Sequence, residues 1–142
     1  MGVVKEGPWG GDKEGKPFDT KTVGWILGFE VWYDDYITGI RFNYKQDGFE
    51  IWTPVYGSQS GGSREKVQIS RRLTGIRVTV DSKDNLTVVR SLTLVAGPNI
   101  SYGPYGSSGA GNSFSANGTN IVGFFGRSST ELINAIGIYI NT

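Results

Sequence analysis

The sequence predicts an all-β fold, and three features support this: abundant glycine, repeated two-residue alternation of apolar and polar side chains, and an internal repeat. The chain has 22 glycines among 142 residues and 13% aromatic residues, so glycine is about twice as frequent as in an average protein. This composition is typical of a folded chain with many tight turns. The length predicts one domain over residues 1–142.

Strands are predicted from alternation and from short apolar runs. In residues 40–45, Ile40, Phe42 and Tyr44 alternate with three polar residues. Further strands are predicted at residues 26–32, 49–52, 65–69, 76–80, 86–95, 121–125 and 136–140. Turn residues such as Asn117-Gly118 separate them, and no stretch has convincing helical spacing. Many short strands of this kind indicate a sandwich, a barrel or a prism.

An internal repeat favours three related sheets over a two-sheet sandwich. An aromatic residue followed by a glycine-rich loop occurs at Trp9, Tyr56 and Tyr105, in steps of 47 and 49 residues. A second element, apolar–polar–small–Ile at the start of a strand, occurs at residues 37–40, 73–76 and 133–136. Three copies of loop, strand, turn and strand predict a pseudo-threefold axis. The alternative is chance recurrence in a glycine-rich β protein.

The composition excludes several classes of function. The chain has no Cys and no His, which excludes a disulfide framework, a thiolate nucleophile, Ser–His catalysis and the usual zinc sites. We therefore expect no metal and no cofactor. A net charge of +1 argues against a nucleic-acid partner. Residues 1–6 lack the apolar segment of a secretory signal, and no run of about 20 apolar residues indicates a membrane span.

Three motifs, in this order along the chain, resemble those of the jacalin-related lectins. They are Gly7-Pro8-Trp9-Gly10-Gly11, then Tyr102-Gly103-Pro104-Tyr105-Gly106, then Gly123-Phe124-Phe125-Gly126-Arg127-Ser128 followed by Asn134-Ala135-Ile136-Gly137-Ile138-Tyr139. The resemblance spans essentially the whole chain. It implies a β-prism of three four-stranded Greek-key sheets with pseudo-threefold symmetry. It also implies carbohydrate binding without catalysis, and a homodimer or higher oligomer.

The resemblance also bears on specificity and localisation. In the galactose-binding relatives the chain is cleaved before the first glycine loop, whereas here residues 1–9 run into that loop without interruption. This resembles the uncleaved group that binds mannose- and glucose-containing glycans, which is typically cytoplasmic. We therefore expect a cytoplasmic, mannose-binding lectin, with galactose-type binding as an alternative.

The resemblance places the sugar between two loops at one end of the prism. The first wall is the loop of residues 10–15, where Gly15, lacking a Cβ, would approach the ring closely. The second wall is formed by Thr130, Glu131, Leu132 and Asn134. Main-chain N–H groups in both loops would donate to sugar hydroxyls, and the Asn134 side-chain oxygen would accept. Arg127 is expected to order the loop.

Two departures from the family pattern lie in the second wall. Thr130 stands where the family has Gly, and Asn134 stands where it has Asp, in a loop one residue longer than usual. Hydrogen bonds to a carboxylate are about twice as strong as bonds between neutral groups. Weakened or altered sugar binding is therefore one expectation, and Asn134→Asp is expected to tighten binding. A site that binds no sugar is the alternative.

Two further regions are candidates by the same resemblance. A loop over residues 81–86 would adjust selectivity for larger glycans through Asp84, Asn85 and Leu86. A second sugar site would comprise Asp34, Asp35, Thr38, Gly61 and Gly62, although Thr38 stands where a carboxylate is expected and a solvated acidic turn is the favoured interpretation. Residues 71–74 are taken as the third copy of this loop, and they are less suited to bind sugar still, because neither Arg71 nor Arg72 is a hydrogen-bond acceptor.

Other classes of function remain open at this point. Asp34, Asp35 and Glu65 are candidate carboxylates of a glycoside hydrolase, but no spacing singles out a catalytic pair. A β-prism that binds other proteins and no sugar is the second alternative. Screening on a glycan array distinguishes it from the lectin.

Overall fold

The computed structural model describes residues 2–107 and 111–142. Within these ranges the chain forms thirteen β-strands and no helix, and therefore no helix able to cross a membrane. The strands are β1 (Val3–Gly10), β2 (Lys16–Asp19), β3 (Trp25–Tyr33), β4 (Ile37–Gln46), β5 (Phe49–Trp52), β6 (Tyr56–Gly57), β7 (Ser63–Gln68), β8 (Leu73–Lys83), β9 (Leu86–Ala96), β10 (Ile100–Gly106), β11 (Asn112–Asn117), β12 (Asn120–Ser128) and β13 (Ile133–Asn141). Part of the third predicted glycine loop, residues 108–110, lies outside the described residues.

The strands form three antiparallel sheets with one shared topology. Their orders are β2-β12-β13-β1 in sheet 1, β7-β3-β4-β5 in sheet 2 and β11-β8-β9-β10 in sheet 3. In sheets 2 and 3 three consecutive strands are followed by a fourth that returns beside the first, which defines a Greek key. Sheet 1 has the same order, built from the last two strands and the first two. The predicted β-prism of three Greek-key sheets is confirmed.

Sheet 2 differs from the others at its outer strand. β4 pairs with both β5 and the short β6, so this edge consists of two segments separated by residues 53–55. Pro54 has no N–H for the ladder, while Thr53 Oγ1 accepts from Phe42 N at 3.0 Å. The equivalent strands β1 and β10 also contain a proline, but they continue past it with a register shift. The outer strand is therefore irregular in all three sheets.

The core lies between the inner faces of the three sheets. The apolar face predicted for β4 does meet the core, because Ile40 and Phe42 are fully buried and Tyr44 packs against the core, although Asn43 on the opposite face is buried as well. The Phe42 ring stacks on Phe124 of sheet 1 with 3.9 Å between centroids. Phe29 of sheet 2 meets Tyr102 and Tyr105 of sheet 3 edge-on. Aromatic contacts thus join sheet 2 to both of its neighbours.

A β-bulge lies close to the turn of the central hairpin in each sheet. The register of β3 with β4 skips Thr38, that of β8 with β9 skips Arg90, and that of β12 with β13 skips Asn134. The carbonyls of these three residues accept main-chain bonds from Ser58, Ser107 and Gly11 respectively. The bulges are therefore pseudo-threefold equivalents, each held by the loop that follows its outer strand.

This equivalence corrects one part of the predicted repeat. Residues 37–40 and 133–136 begin β4 and β13, the second strands of their hairpins, but residues 73–76 begin β8, the first strand of its hairpin. The assignment of residues 71–74 as the third copy is therefore wrong, and the true counterpart is the hairpin segment 81–90. A four-residue pattern at a strand start is the same in either strand of an antiparallel hairpin, so it does not reveal strand order.

Candidate functional site

The first loop site comprises Gly15, Thr87 and residues 128–134, which meet at one end of the prism. Its centre is Asn134, which the bulge in β13 places under the other loops with only 1% of its surface exposed. Its side-chain Nδ2 donates to Thr87 O at 2.9 Å. The opposite carboxamide orientation would set two oxygens against each other, so this bond fixes the Oδ1 side. Asn134 Oδ1 is buried and has no hydrogen-bond partner.

Gly15 packs directly on the Asn134 side chain. Its φ is +71°, in the left-handed region, where residues with a Cβ are disfavoured. A Cβ built there would lie 2.7 Å from Asn134 Oδ1 and 2.5 Å from Ser128 O. The absent Cβ is therefore required for contact within the protein, whereas the sequence predicts close approach to a sugar.

The Glu14 carboxylate adds a third residue to the hydrogen-bonded pair of Asn134 and Thr87. Glu14 Oε2 accepts from Thr87 N at 3.0 Å, and this bond is the main cause that lowers the pKa of Glu14. The Thr87 carbonyl thus accepts a hydrogen bond from Asn134 Nδ2, and the Thr87 N–H donates one to Glu14. The relay Asn134–Thr87–Glu14 joins segments from sheet 1, from β9 of sheet 3 and from the first glycine loop.

Arg127 orders the first glycine loop, as the sequence predicts. Its Nε donates to Glu14 O at 2.8 Å and its Nη2 donates to Gly15 O at 2.9 Å. A guanidinium holds several donors in a rigid plane, so these two bonds fix the loop against β12. This arrangement leaves Arg127 engaged with main-chain carbonyls.

Ser129 closes the turn before β13. Its Oγ accepts from Glu131 N at 3.0 Å and from Leu132 N at 3.2 Å, and its own N–H donates to Leu132 O at 3.0 Å. Thr130 and Glu131 are exposed at the tip of this turn, and Leu132 is buried. The two amides that the sequence predicts as sugar donors are therefore already paired to a hydroxyl.

The predicted selectivity loop forms the turn between β8 and β9. Asp84 and Asn85 both have positive φ, as the two-residue hairpin turn of type I′ requires, and Leu86 is 43% exposed. Lys83 Nζ lies 4.9 Å from the Tyr36 ring centroid, beside the second predicted site, and Thr87 belongs to the first loop site. This hairpin therefore bridges the first and second predicted sites.

The second predicted site is brought together but is also internally bonded. Asp34 Oδ1 accepts from Gly62 N at 2.7 Å, and Asp35 is exposed. Thr38 Oγ1 is buried with no hydrogen-bond partner, and a Cβ on Gly61 would lie 2.6 Å from it. Gly61 and Thr38 thus repeat the contact of Gly15 with Asn134, with a hydroxyl in place of a carboxamide.

The third counterpart carries a cation. Arg90 Nη1 pairs with Asp81 Oδ2 at 3.1 Å, while its Nε is buried without a partner. All three equivalent bulges therefore bear a buried polar atom with no hydrogen-bond partner. In the described ranges 2–107 and 111–142, no group of His, Cys, Asp or Glu side chains is arranged to hold a metal ion.

Sequence reasoning missed Glu14, Thr87 and Ser129. Thr87 lies 47 residues from Asn134 along the chain, and no local pattern links them. Ser129 carries a weak signal, because a serine three residues before a turn amide commonly accepts from main-chain N–H groups. Only the fold brings these residues together with Asn134.

Comparison with known proteins identifies the fold and the family. A family model described as the Jacalin-like lectin domain matches residues 6–139. The chain belongs to the jacalin-like lectin family. The family is one of lectins, which bind carbohydrate without catalysis.

Individual relatives of this jacalin-like chain cover it almost completely. Jacalin-related lectin 3 of Arabidopsis thaliana is 33% identical over 98% of this chain and 25% of its own length. A mannose/glucose-specific lectin of Parkia platycephala is 31% identical over 98% of this chain and 32% of its own length. The chain therefore spans less than half the length of the first curated relatives it matches. The structure of an artocarpin–mannotriose complex superposes with a TM-score of 0.88 at 28% identity, covering 100% of this chain and 99% of that one.

Proposed function

We propose that this chain binds mannose- or glucose-containing glycans at the first loop site and carries out no catalysis. The observation that carries the proposal is the buried, unpartnered Asn134 Oδ1 held by Thr87 beneath Gly15. An acceptor of this kind is costly to leave unpaired, and a sugar hydroxyl would satisfy it. The mannose/glucose-specific lectin and the mannotriose complex among the similar proteins support the same class of ligand.

Sugar binding at this site requires an exchange of hydrogen bonds. The N–H groups of Glu131 and Leu132 donate to Ser129 Oγ, and Gly15 covers Asn134 Oδ1. An incoming pyranose would replace the Ser129 hydroxyl at these amides with its own hydroxyls while the loop of Gly15 shifts away from Asn134. Exchanging one hydroxyl for another gives little net free energy, so we expect a weak site.

Weak single sites gain strength when several are presented together. A dissociation constant near 1 mM corresponds to about 4.1 kcal/mol, and simultaneous engagement of linked sites adds a factor of about 10²–10⁴. We therefore propose that a homodimer or a higher oligomer is the effective form. Sedimentation velocity, combined with binding to surfaces of low and high glycan density, measures both parts of this proposal.

Calorimetric titration with methyl α-mannoside, methyl α-glucoside and methyl α-galactoside tests the specificity. We expect the first two to bind in the millimolar range and the third to bind more weakly. Preference for the galactoside would show galactose-type binding instead. The glycan array supplies larger ligands, and the best of these should compete with methyl α-mannoside.

A second candidate function is a β-prism that binds proteins and no sugar. The internal pairing of Ser129 with two amides and the 1% exposure of Asn134 favour it. The glycan array decides between the two functions, because no glycan would bind above background to a β-prism that binds only proteins. Chemical-shift mapping with methyl α-mannoside at high concentration provides an independent check for weak sugar binding at Gly15 and Asn134.

A further inference from the structure

The outer face of sheet 2 carries a groove of about 750 Å³ that lies apart from the loop sites. Its floor is one row across four strands, in which Trp52, Asn43, Gly28 and Gln68 stand side by side. Neighbouring strands are about 4.8 Å apart, so this row is about 14 Å long. Gly28 opens the middle of the row because it has no side chain, and a Cβ there would contact the Val67 carbonyl.

The groove carries an excess of positive charge. Lys45 and Lys66 line it on either side of the row, opposed by the exposed Glu50. Neither lysine forms an ion pair within the described residues. Lys66 Nζ lies 5.3 Å from the Trp52 ring centroid, a contact that holds a cation without neutralising it.

A second cluster beside the groove adds to this charge. Glu30 is only 3% exposed and pairs with two guanidiniums, Arg41 at 2.7 Å and Arg64 at 3.3 Å. Arg41 also lies 4.3 Å over the Trp52 ring. One buried carboxylate thus fixes two arginines, which leaves this cluster with a net positive charge beside the groove.

We propose that this groove is a second carbohydrate site, which binds anionic oligosaccharides. Lys45 and Lys66 bond the sulfate or carboxylate groups, and the Gln68 carboxamide bonds the hydroxyls between them. Asn43 is 5% exposed and its Nδ2 donates to Ile51 O at 3.3 Å, so it offers the sugar only its Oδ1. An extended row with cations on both sides suits a linear chain that carries charges along its length, and the fixed arginines attract it. The whole chain has a net charge of only +1, so its overall charge gives little attraction and binding depends on the local charge of this face. The site is independent of the loop site proposed above.

The test compares two double variants that remove the same charge from different sheets. Lys45→Gln/Lys66→Gln removes both lysines of the groove. Lys5→Gln/Lys21→Gln, the sheet 1 variant, removes one lysine from β1 and one from the loop that follows β2. Lys5 lies 4.3 Å over the Phe125 ring in a similar cation–π contact. Both are titrated with a sulfated dextran oligosaccharide, with an oligogalacturonate and with unsulfated dextran of equal length. Thermal unfolding and circular dichroism check the fold of each variant.

We expect the anionic sugars to bind the wild-type chain and the sheet 1 variant alike, and to bind the groove variant about tenfold more weakly. The tighter of the two anionic sugars identifies sulfate or carboxylate as the preferred charge. Unsulfated dextran is a glucose polymer, so it should bind only weakly, through the loop site, and equally in the wild-type chain and both variants. Equal weakening in both variants would show non-specific attraction and overturn the proposal. So would equally tight binding of an oligoglutamate peptide, or no binding of either anionic sugar. Asn134→Ala should leave this binding unchanged, so a failed loop site is told apart from a failed groove.

Discussion

The three equivalent bulges of the prism carry different side chains in the same backbone setting. Asn134 is tied to Thr87 and covered by Gly15, Thr38 is covered by Gly61, and Arg90 is paired with Asp81. The fold therefore provides three similar loop clusters, and single side chains determine what each can bind. Of the three, Asn134 alone donates to the protein through one side-chain atom and keeps an acceptor on another, because Thr38 Oγ1 has no partner and a guanidinium has no acceptor.

Replacing Gly15 should cause the largest change at the first loop site. In Gly15→Ala the new methyl would lie 2.5 Å from Ser128 O and 2.7 Å from Asn134 Oδ1. We expect a loss of about 3 kcal/mol in the free energy of unfolding and no detectable binding of methyl α-mannoside. Gly48→Ala is the matched control, since Gly48 also has positive φ but a Cβ there meets nothing within 4 Å.

The control should lose only about 1 kcal/mol, the cost of the backbone conformation. Urea unfolding and calorimetric titration measure the two quantities. Equal losses in both variants would mean that the contact of Gly15 with Asn134 is unimportant.

Removing the side chains of two equivalent bulges contrasts the first and second sites directly. Asn134→Ala loses the bond to Thr87 and the acceptor oxygen, which together cost about 1–3 kcal/mol. We expect sugar affinity to fall by about thirtyfold while the fold persists. Thr38→Ala removes a hydroxyl that has no partner, so stability and affinity should stay near those of the wild type. A comparable loss of affinity in Thr38→Ala would show that the second site contributes.

Asn134→Asp tests whether the carboxamide is adapted to its neighbours. The sequence alone predicts tighter binding, but the structure places Asn134 Nδ2 against the Thr87 carbonyl at 2.9 Å, where a carboxylate oxygen would be repelled. We therefore expect about tenfold weaker binding at pH 7. Burial raises the pKa of a carboxyl group, so the protonated form should restore the bond to Thr87 as the pH falls towards 5. Tighter binding at pH 7 would show that the Thr87 contact readily rearranges.

The features that the sequence predicts depend on neighbouring residues, and the features that it misses depend on residues far apart in the chain. The alternation of Ile40 and Phe42 reports which face of β4 is buried, because side chains in a strand alternate by geometry. The strands β1 and β10 lack this signal, since Gly7-Pro8 and Gly103-Pro104 interrupt their alternation and shift their register. The alternation therefore predicts no strand at either place, although two of the family motifs lie there.

In the candidate site, too, the sequence identifies single residues but not the contacts between distant segments. Gly15 and Asn134 were recognisable because the family motif names their positions, but their mutual contact was not. The Thr87 carbonyl is a main-chain group that any residue would supply, so the residue type at position 87 does not reveal its bond to Asn134. Likewise the third bulge at Arg90 breaks the polar pattern shared by Thr38 and Asn134, which is why a similar segment in β8 was mistaken for it.

Ser129 should limit the affinity of the first loop site. Ser129→Ala removes the acceptor of the Glu131 and Leu132 amides, so a sugar hydroxyl no longer has to displace it. We expect affinity for methyl α-mannoside to rise about threefold while the free energy of unfolding falls by about 1 kcal/mol. Ser101→Ala, at an exposed position on β10, should change neither quantity. Unchanged or lower affinity in Ser129→Ala would mean that the sugar does not use these amides.

The smallest effect is expected at Glu14, at the outer end of the relay. The bond from Thr87 lowers the pKa of Glu14, so its stabilising contribution is full above the ordinary value of a Glu and is lost as the pH falls through the lowered value. Sugar binding by the wild type should weaken over that acid range. Glu14→Gln keeps only a neutral acceptor for Thr87 N, so it should bind about twofold more weakly at pH 7, and its affinity should vary less with acid pH. Asp12→Asn, in the same loop and exposed, should retain the wild-type profile; the same loss of pH dependence there would assign the effect to loop charge and not to the bond between Glu14 and Thr87.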